Sequence, residues 1–171
     1  MDDVFAMQDA GILPPDHRCE LIHGELIEMP SEGDRHSHAK AQLIMWFARN
    51  LPHDRYAVGP DTTFFLDKQE APEPDVFLHD AALRPSQVGG RDALLVIEIA
   101  ATSLAYDLTV KAELYSAYGV REYWVVDVER RETHVHRRDG EGWAKGDPVP
   151  FDAPIALTQI PGAALRIADL V

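Results

Sequence analysis

A glutamate stands in the middle of an aliphatic run, where a charged side chain is costly. The run is "LLVIEIAATS", residues 94–103, and the glutamate is Glu98. A short and continuous apolar run of this kind is typical of a central strand covered on both faces. A carboxylate there requires a counter-ion or a metal. The stretch therefore predicts that Glu98 holds a cation.

A lysine on the next predicted helix is the first candidate partner of Glu98. At about 3.6 residues per turn, Lys111 falls on the apolar stripe of that helix, and Thr109 and Glu113 fall on the opposite side. The stripe also contains Leu104, Leu108, Tyr115 and Tyr118. Lysines are almost never fully buried without a partner. Lys111 therefore requires an anion, which Glu98 can supply.

A second carboxylate, Asp75, opens the segment "PDVFL", which predicts a strand next to that of Glu98. Pro74 favours an extended entry into this strand. Two carboxylates on neighbouring strands with a lysine close by form a pocket of hard oxygen ligands that suits Mg²⁺ or Mn²⁺. The alternative is a buried salt bridge between Glu98 and Lys111, with Asp75 capping a turn. Buried ion pairs stabilise poorly, which favours a functional interpretation.

The elements that position these residues begin with a hairpin and a helix. The segment "RCELIHGELIEMP" has two apolar runs around His23-Gly24, which predicts a β-hairpin with Gly24 at positive φ. Residues 37–51 predict an amphipathic helix ended by Pro52. Its predicted buried face consists of Ala39, Leu43, Trp46, Phe47 and Asn50.

Strands and a second helix follow. "YAVGPDTTFFLD" and "PDVFLHD" predict two strands before a third strand at residues 94–100. A helix is predicted from Leu104 to Tyr118, ended by Gly119. "EYWVVDV" predicts a buried strand, "THVHRR" an alternating one, and the proline-rich tail a short edge strand or final helix. This order predicts an α/β (α+β) fold, a sheet with helices packed against it, as one domain over residues 1–171.

Composition narrows the class of protein. The 171 residues are 46% hydrophobic and 26% charged, typical of a soluble globular chain. No apolar run approaches the roughly 20 residues that cross a bilayer, so no membrane segment is predicted. The N-terminus lacks an export signal and Cys19 is the only cysteine, which favours the cytoplasm. The formal charge of −13 argues against broad, non-specific attraction to nucleic acid.

Three segments resemble one known family: "PEPDVFL", "LLVIEIAATSLAYDLTVKAELYSAYGVREYWVVDV", and "CELIHGELIEMP" followed by His38. They are similar to the Uma family (Uma-two) of the PD-(D/E)XK restriction-endonuclease-like superfamily, over roughly residues 20–138. The resemblance implies a restriction-endonuclease-like mixed sheet flanked by helices. It also implies that Asp75 is the aspartate of the "PD" element and Glu98 the acidic residue on the next strand.

The chain departs from the superfamily pattern at one position. The simplest pattern has a lysine two residues after Glu98, where this chain has Ala100. Family members that resemble this chain carry a lysine on the following helix, here Lys111. Glu20 matches the acidic residue of the family's "ELI" element, and His38 a histidine near the start of its first long helix. The alternatives are an exposed strand residue for Glu20 and a helix-start residue bonding the backbone for His38.

The resemblance implies a metal-dependent DNA endonuclease. Asp75 and Glu98, joined by the Ile99 carbonyl, are expected to hold one or two Mg²⁺ or Mn²⁺ ions. Lys111 is expected to act as a base or to stabilise negative charge, and Glu20 to belong to the catalytic site. DNA is the expected partner. A homodimer would address both strands of a duplex, and four aromatic residues offer apolar surface for it: Trp46, Tyr115, Tyr118 and Trp124.

Two other functions remain open. A non-catalytic binding or assembly module would keep the fold and use Glu98 and Lys111 only as a buried pair. Hydrolysis through Cys19 or Ser103 has less support, because neither lies in a recognisable nucleophile turn. His134 and His136 share a strand face and suit a metal. With no third ligand near them in the sequence, a solvent-exposed edge is the favoured interpretation.

Overall fold

The N-terminal hairpin consists of β1 (Cys19–Ile22) and β2 (Glu25–Glu28). The computed structural model describes residues 7, 10–12, 18–144 and 146–171. In the hairpin turn, His23 and Gly24 both have positive φ, 54° and 76°, as a type I′ turn requires. An antiparallel bridge between Leu21 and Ala71 attaches the hairpin to the rest of the chain. The predicted hairpin is confirmed.

A mixed seven-stranded sheet forms the centre of the fold. Its strands are β3 (Tyr56–Pro60), β4 (Val76–Asp80), β5 (Leu95–Ala100), β6 (Glu122–Asp127), β7 (Glu132–Asp139), β8 (Gly142–Trp143) and β9 (Val149–Pro150). The order is β3-β4-β5-β6-β7-β8, with β9 also paired to β7. Only β5 and β6 run parallel. Parallel neighbours require a crossover, and a helix between these two strands provides it.

Two helices cover the two faces of the sheet. Helix α1 (Asp34–Asn50) packs Ala39, Leu43 and Phe47 against one face. Helix α2, residues 104–117, is the crossover and packs on the opposite face, where Tyr115 joins the second apolar cluster. The mixed sheet flanked by helices is as predicted. No helix among the described residues is both long and apolar enough to cross a membrane.

The buried face of α1 differs in part from its prediction. Lys40 is buried, whereas Trp46 is half-buried and Asn50 is exposed. The strand predicted over residues 56–67 is also too long, because β3 ends at Pro60. Proline has no N–H to donate to a ladder, and Asp61 then turns the chain at a φ of 43°.

The C-terminal segment contains both elements offered as alternatives for it. Strands β10 (Ile155–Ala156) and β11 (Ala164–Leu165) form a separate pair, and a 3₁₀ turn follows at Ile167–Asp169. The fully buried Glu122 of β6 attaches this segment to the sheet. It accepts hydrogen bonds from the Thr158 backbone N–H, 2.9 Å, and from the Trp124 indole, 3.0 Å.

The predicted solvent exposure of His134 and His136 is wrong, because both residues are half-buried on β7. Strand β7 pairs with β6 along most of its length, whereas β9 and β8 pair only with its two ends, so the two histidines lie on a stretch with a strand partner on one side. The ring of His136 stacks on Tyr123 at 5.4 Å between centroids. Alternate residues of a strand face opposite sides of the sheet, and His134 and His136 lie on the α2 side, opposite Val125 and Tyr123.

Candidate active site

Asp75 and Glu98 face each other at the point where β4 begins and β5 ends. The antiparallel register pairs Val76 with Ile97, and one further step along both strands brings Asp75 opposite Glu98. The Asp75 carboxylate accepts the backbone N–H of Ile99 at 2.7 Å. It therefore bonds the neighbouring strand and does not cap a turn. Asp75 and Glu98 are only 5% and 4% exposed.

Lys111 reaches this point from α2. Residues Asp107–Lys111 form a wide π turn within the helix, a feature that is frequent at functional sites. The Lys111 ammonium lies 2.9 Å from Glu98 Oε1 and 2.8 Å from Glu20 Oε1. The Tyr115 hydroxyl donates to the same Glu98 oxygen at 2.8 Å. Ala100, at the superfamily's usual lysine position, is buried in the core.

Glu20 belongs to the same cluster and is not an exposed strand residue. It is 3% exposed, and besides Lys111 it binds the backbone N–H of Glu73 at 2.8 Å. Lys111 therefore bridges two carboxylates that lie far apart along the chain. The structure thus brings Glu20, Glu98 and Lys111 into direct contact, with Asp75 opposite Glu98.

A cavity of about 340 Å³ opens beside this cluster. Acidic groups dominate the ionisable side chains of its wall, and Ile99 contributes to the same wall. The lining carboxylates are Glu20, Glu28, Glu32, Asp75, Glu98 and Asp107, and the basic side chains are Arg18, His36 and Lys111. The cavity therefore has the charge and the oxygen donors that a divalent cation requires.

Burial and neighbouring charges shift the pKa values of Glu98 and Lys111. Burial raises the pKa of the Glu98 carboxyl well above its usual value; Asp75, Asp107 and Glu20 add to this effect, and Lys111 opposes it. Burial lowers the pKa of Lys111, but attraction to Glu98, Glu20 and Asp107 outweighs it, so that the pKa is raised. The ammonium is therefore permanent at neutral pH, and it does not balance all the carboxylates around it.

Asp75 and Glu98 have the oxygen atoms and the surroundings that a divalent metal requires. Both hydrogen bonds recorded for Glu98 among the described residues reach Oε1, so its second oxygen is available to a ligand in the cavity. Asp75 uses Oδ2 for Ile99, and its Oδ1 has the Lys40 ammonium 3.9 Å away but makes no closer polar contact among the described residues. Two carboxylates, each with an oxygen that makes no hydrogen bond, in a wall with six carboxyl groups and three basic side chains, match the preference of Mg²⁺ for one or two carboxylates plus water.

Among the residues of the cavity wall that the sequence did not indicate are His36 and Asp107. His36 Nε2 lies 3.1 Å from Asp75 Oδ2, whereas His38, the histidine chosen by resemblance, is exposed on another side of α1. Helical spacing was the available signal, because His36 shares a face with Lys40 and with the buried apolar residues of α1. Asp107 is buried and accepts the Ser103 hydroxyl at 2.6 Å.

A charged network closes one rim of the cavity. Glu32 binds the ammonium of Lys40 and, at 2.8 Å, the guanidinium of Arg18. Both cations also contact Asp61, at 2.9 and 3.0 Å. Burial alone would raise the pKa of Glu32, but the hydrogen bonds from Lys40 and Arg18 lower it to about 2. The network therefore stabilises the ionised form of Glu32.

The lowered pKa of Glu32 predicts that its contribution to the stability of the fold depends on pH. A carboxyl with a lowered folded-state pKa stabilises the fold above its unfolded pKa, and the contribution is lost as the pH falls toward the folded value. For Glu32 the window runs from about 4.5 down to about 2. We expect Glu32→Gln to be less stable than wild type near neutral pH. Urea unfolding at several pH values should show this difference shrinking through the window; a constant difference would contradict the assignment.

The mixed sheet with a helix on each face is that of a restriction-endonuclease-like fold. A solved structure, the crystal structure of "a putative nuclease belonging to DUF820" from Anabaena variabilis, matches with a TM-score of 0.74 and 16% identity, over 96% of each chain. The Uma2 family model, described as "putative restriction endonuclease", matches residues 1–168. The chain therefore belongs to the Uma2 family. No curated protein matches it.

Proposed function

We propose that the protein is a Mg²⁺- or Mn²⁺-dependent DNA endonuclease that hydrolyses phosphodiester bonds. One observation carries the proposal: two buried carboxylates, Asp75 and Glu98, face each other beside a cavity, and the Lys111 ammonium lies 2.9 Å from Glu98. Membership of a family described as "putative restriction endonuclease" supports the same activity. The active unit in this proposal is a single domain over residues 1–171.

In this proposal Asp75, Glu98 and the Ile99 carbonyl hold the metal. When bound, the metal polarises the phosphate, lowers the pKa of a water and neutralises charge on the departing oxygen. The Ile99 N–H fixes the Asp75 carboxylate through its 2.7 Å hydrogen bond. Lys111 and Tyr115 fix Glu98 through one oxygen. Both ligands are thus oriented by hydrogen bonds before any metal arrives, as a preorganised site requires.

Lys111 acts in this proposal as a stabiliser of negative charge and not as a base. Attraction to Glu98 and Glu20 raises the pKa of Lys111 despite its burial, so the side chain keeps its proton. A base must be able to give up that proton near the working pH. A permanent ammonium instead balances the charge that develops on a phosphoryl group in the transition state. Glu20 also holds the ammonium, at 2.8 Å.

The proposal includes DNA as substrate, a cytoplasmic location and a homodimer. A protein with a formal charge of −13 needs a local source of positive charge to approach DNA, and bound cations supply it at the cavity. Two sites in one dimer would address both strands. Tyr115 and Trp124 are fully buried, so any apolar dimer contact must use other residues, such as the partly exposed Met45 and Phe65.

The direct test is cleavage of supercoiled circular DNA. We expect nicked and then linear product with Mg²⁺ or Mn²⁺, and no product when EDTA is present or when Ca²⁺ is the only cation. Circular substrate distinguishes an endonuclease from an enzyme that needs a free end. Calorimetry with Mg²⁺ and Mn²⁺ on the same preparation distinguishes an enzyme from a binding module. The absence of both cleavage and metal binding would reject the proposal in favour of a non-catalytic module.

A further inference from the structure

The end of the β6–β7 hairpin gathers three metal-ligating side chains outside the candidate active site. The antiparallel register pairs Asp127 with Glu132 and Val125 with His134. Alternate residues of a strand share a face, so Asp127, Glu132 and His134 project from the same face of the sheet. The sequence offered His134 and His136 without a third ligand; the fold supplies two carboxylates next to His134.

The separations within this group suit one small cation. Donor atoms of the three side chains all lie within 4.8 Å of one another, and His134 Nε2 is 3.6 Å from Glu132 Oε1. Ligand atoms about 2.0–2.2 Å from a tetrahedral zinc lie about 3.3–3.6 Å apart. The imidazole and the Glu132 carboxylate are therefore already at the separation of two ligands of one ion.

The imidazole of His134 provides a second, independent sign of a missing ligand. Its Nε2 is shielded from solvent and has no hydrogen-bond partner among the described residues. Buried polar atoms are rarely left unpaired, because desolvation is then uncompensated. A cation between His134 and Glu132 would satisfy this nitrogen as well as the carboxylate.

The carboxylate of Asp127, the third candidate ligand, is buried and held in place by hydrogen bonds. It is 3% exposed, and its Oδ1 accepts the backbone N–H groups of Glu129 and Arg130 at 3.0 and 2.9 Å. These bonds fix the carboxylate and leave Oδ2 without a backbone donor; the Arg130 guanidinium lies 3.3 Å from this oxygen. The Arg130 side chain is 65% exposed, so it can yield its position to a metal ion.

We propose that Asp127, Glu132 and His134 form a binding site for Zn²⁺ or a similar transition-metal ion. One imidazole nitrogen and two carboxylate oxygens, with a fourth position open to water, match zinc better than Mg²⁺, which prefers oxygen ligands alone. The ion joins Asp127, the last residue of β6, to Glu132 and His134 at the start of β7. Because it binds only the folded chain, it raises the stability of the protein with increasing metal concentration.

The test uses the full chain with the candidate active site disabled, so that metal binding there does not interfere. In an Asp75→Asn/Glu98→Gln background, Zn²⁺ is titrated in competition with a chromogenic chelator and excess Mg²⁺. We expect one equivalent to bind and to raise the melting temperature. His134→Gln and Glu132→Gln should each remove that equivalent. His53→Gln, which changes an exposed histidine in a turn, should leave it intact.

Three outcomes would overturn the site: no bound equivalent, an equivalent that survives both substitutions, or an equal loss in the His53 control. Circular dichroism in EDTA verifies that each variant is folded. Glu132 is 31% exposed, so its substitution keeps the test valid if the His134 variant does not fold. None of these readouts depends on DNA cleavage, and failure here leaves the proposed nuclease activity untouched.

Discussion

Replacing Asp75 by Asn or Glu98 by Gln is expected to abolish Mg²⁺-dependent DNA cleavage while the chain still folds. Either substitution removes a negative charge from the proposed metal site. A metal Lewis acid contributes several kcal/mol to transition-state stabilisation, and roughly 1.36 kcal/mol corresponds to a factor of ten. The cleavage rate should therefore fall about a thousandfold or more. Single-turnover cleavage of circular DNA measures this loss, and calorimetry should show weaker Mg²⁺ binding by the same variants.

The fold should survive because the substituted side chains keep the hydrogen bonds. The oxygen of Gln at position 98 can still accept from Lys111 and Tyr115, which both bind one oxygen of Glu98. The Lys111 ammonium also keeps Glu20 as an ionised partner at 2.8 Å. Glu122→Gln is the matched control, since Glu122 is equally buried but lies outside the cavity wall. It should keep wild-type cleavage, and full activity in both site variants would reject the proposed site.

The elements that carry the site could be predicted from the sequence because their signals are local. The apolar run around Glu98 gives a buried strand, and the stripe through Lys111 gives the buried face of α2. A buried carboxylate and a buried lysine on consecutive elements are expected to pair, because each charge needs a partner away from water. In the structure they are 2.9 Å apart. The second partner of Lys111, Glu20, required family resemblance, because nothing local links the hairpin to α2.

The parts that were missed depend on geometry that a local pattern does not contain. Helical spacing indicates the buried side of α1 for His36, but its contact with Asp75 is set by the relative position of α1 and β4, and resemblance pointed to His38. The π turn that contains Asp107 and Lys111 departs from the regular helical repeat assumed in the prediction. The rim network joins Arg18, Lys40 and Glu32 from three separate segments. Each of these contacts is set by how elements pack and by loop conformation.

Replacing Lys111 by Met is expected both to abolish cleavage and to destabilise the fold. Lys111 is 4% exposed and bridges Glu20 and Glu98. Removing one partner of a buried ion pair typically costs about 3–5 kcal/mol, because the remaining charge is uncompensated. Urea unfolding near neutral pH measures this loss. The deficit should shrink on acidification, because burial raises the pKa of the Glu98 carboxyl and a protonated Glu98 no longer needs the ammonium.

The double variant Lys111→Met/Glu98→Gln separates the structural role of Lys111 from its proposed catalytic role. Neutralising Glu98 removes one of the two charges left unpaired, so the double variant should be more stable than Lys111→Met alone. Cleavage should stay absent, since neither the ammonium nor the metal-binding carboxylate is restored. If Lys111→Met were as stable as wild type, the buried contacts of the ammonium would be wrong. A stable fold with wild-type cleavage in that variant would mean that Lys111 has no part in the reaction, because the transition state would form without its charge.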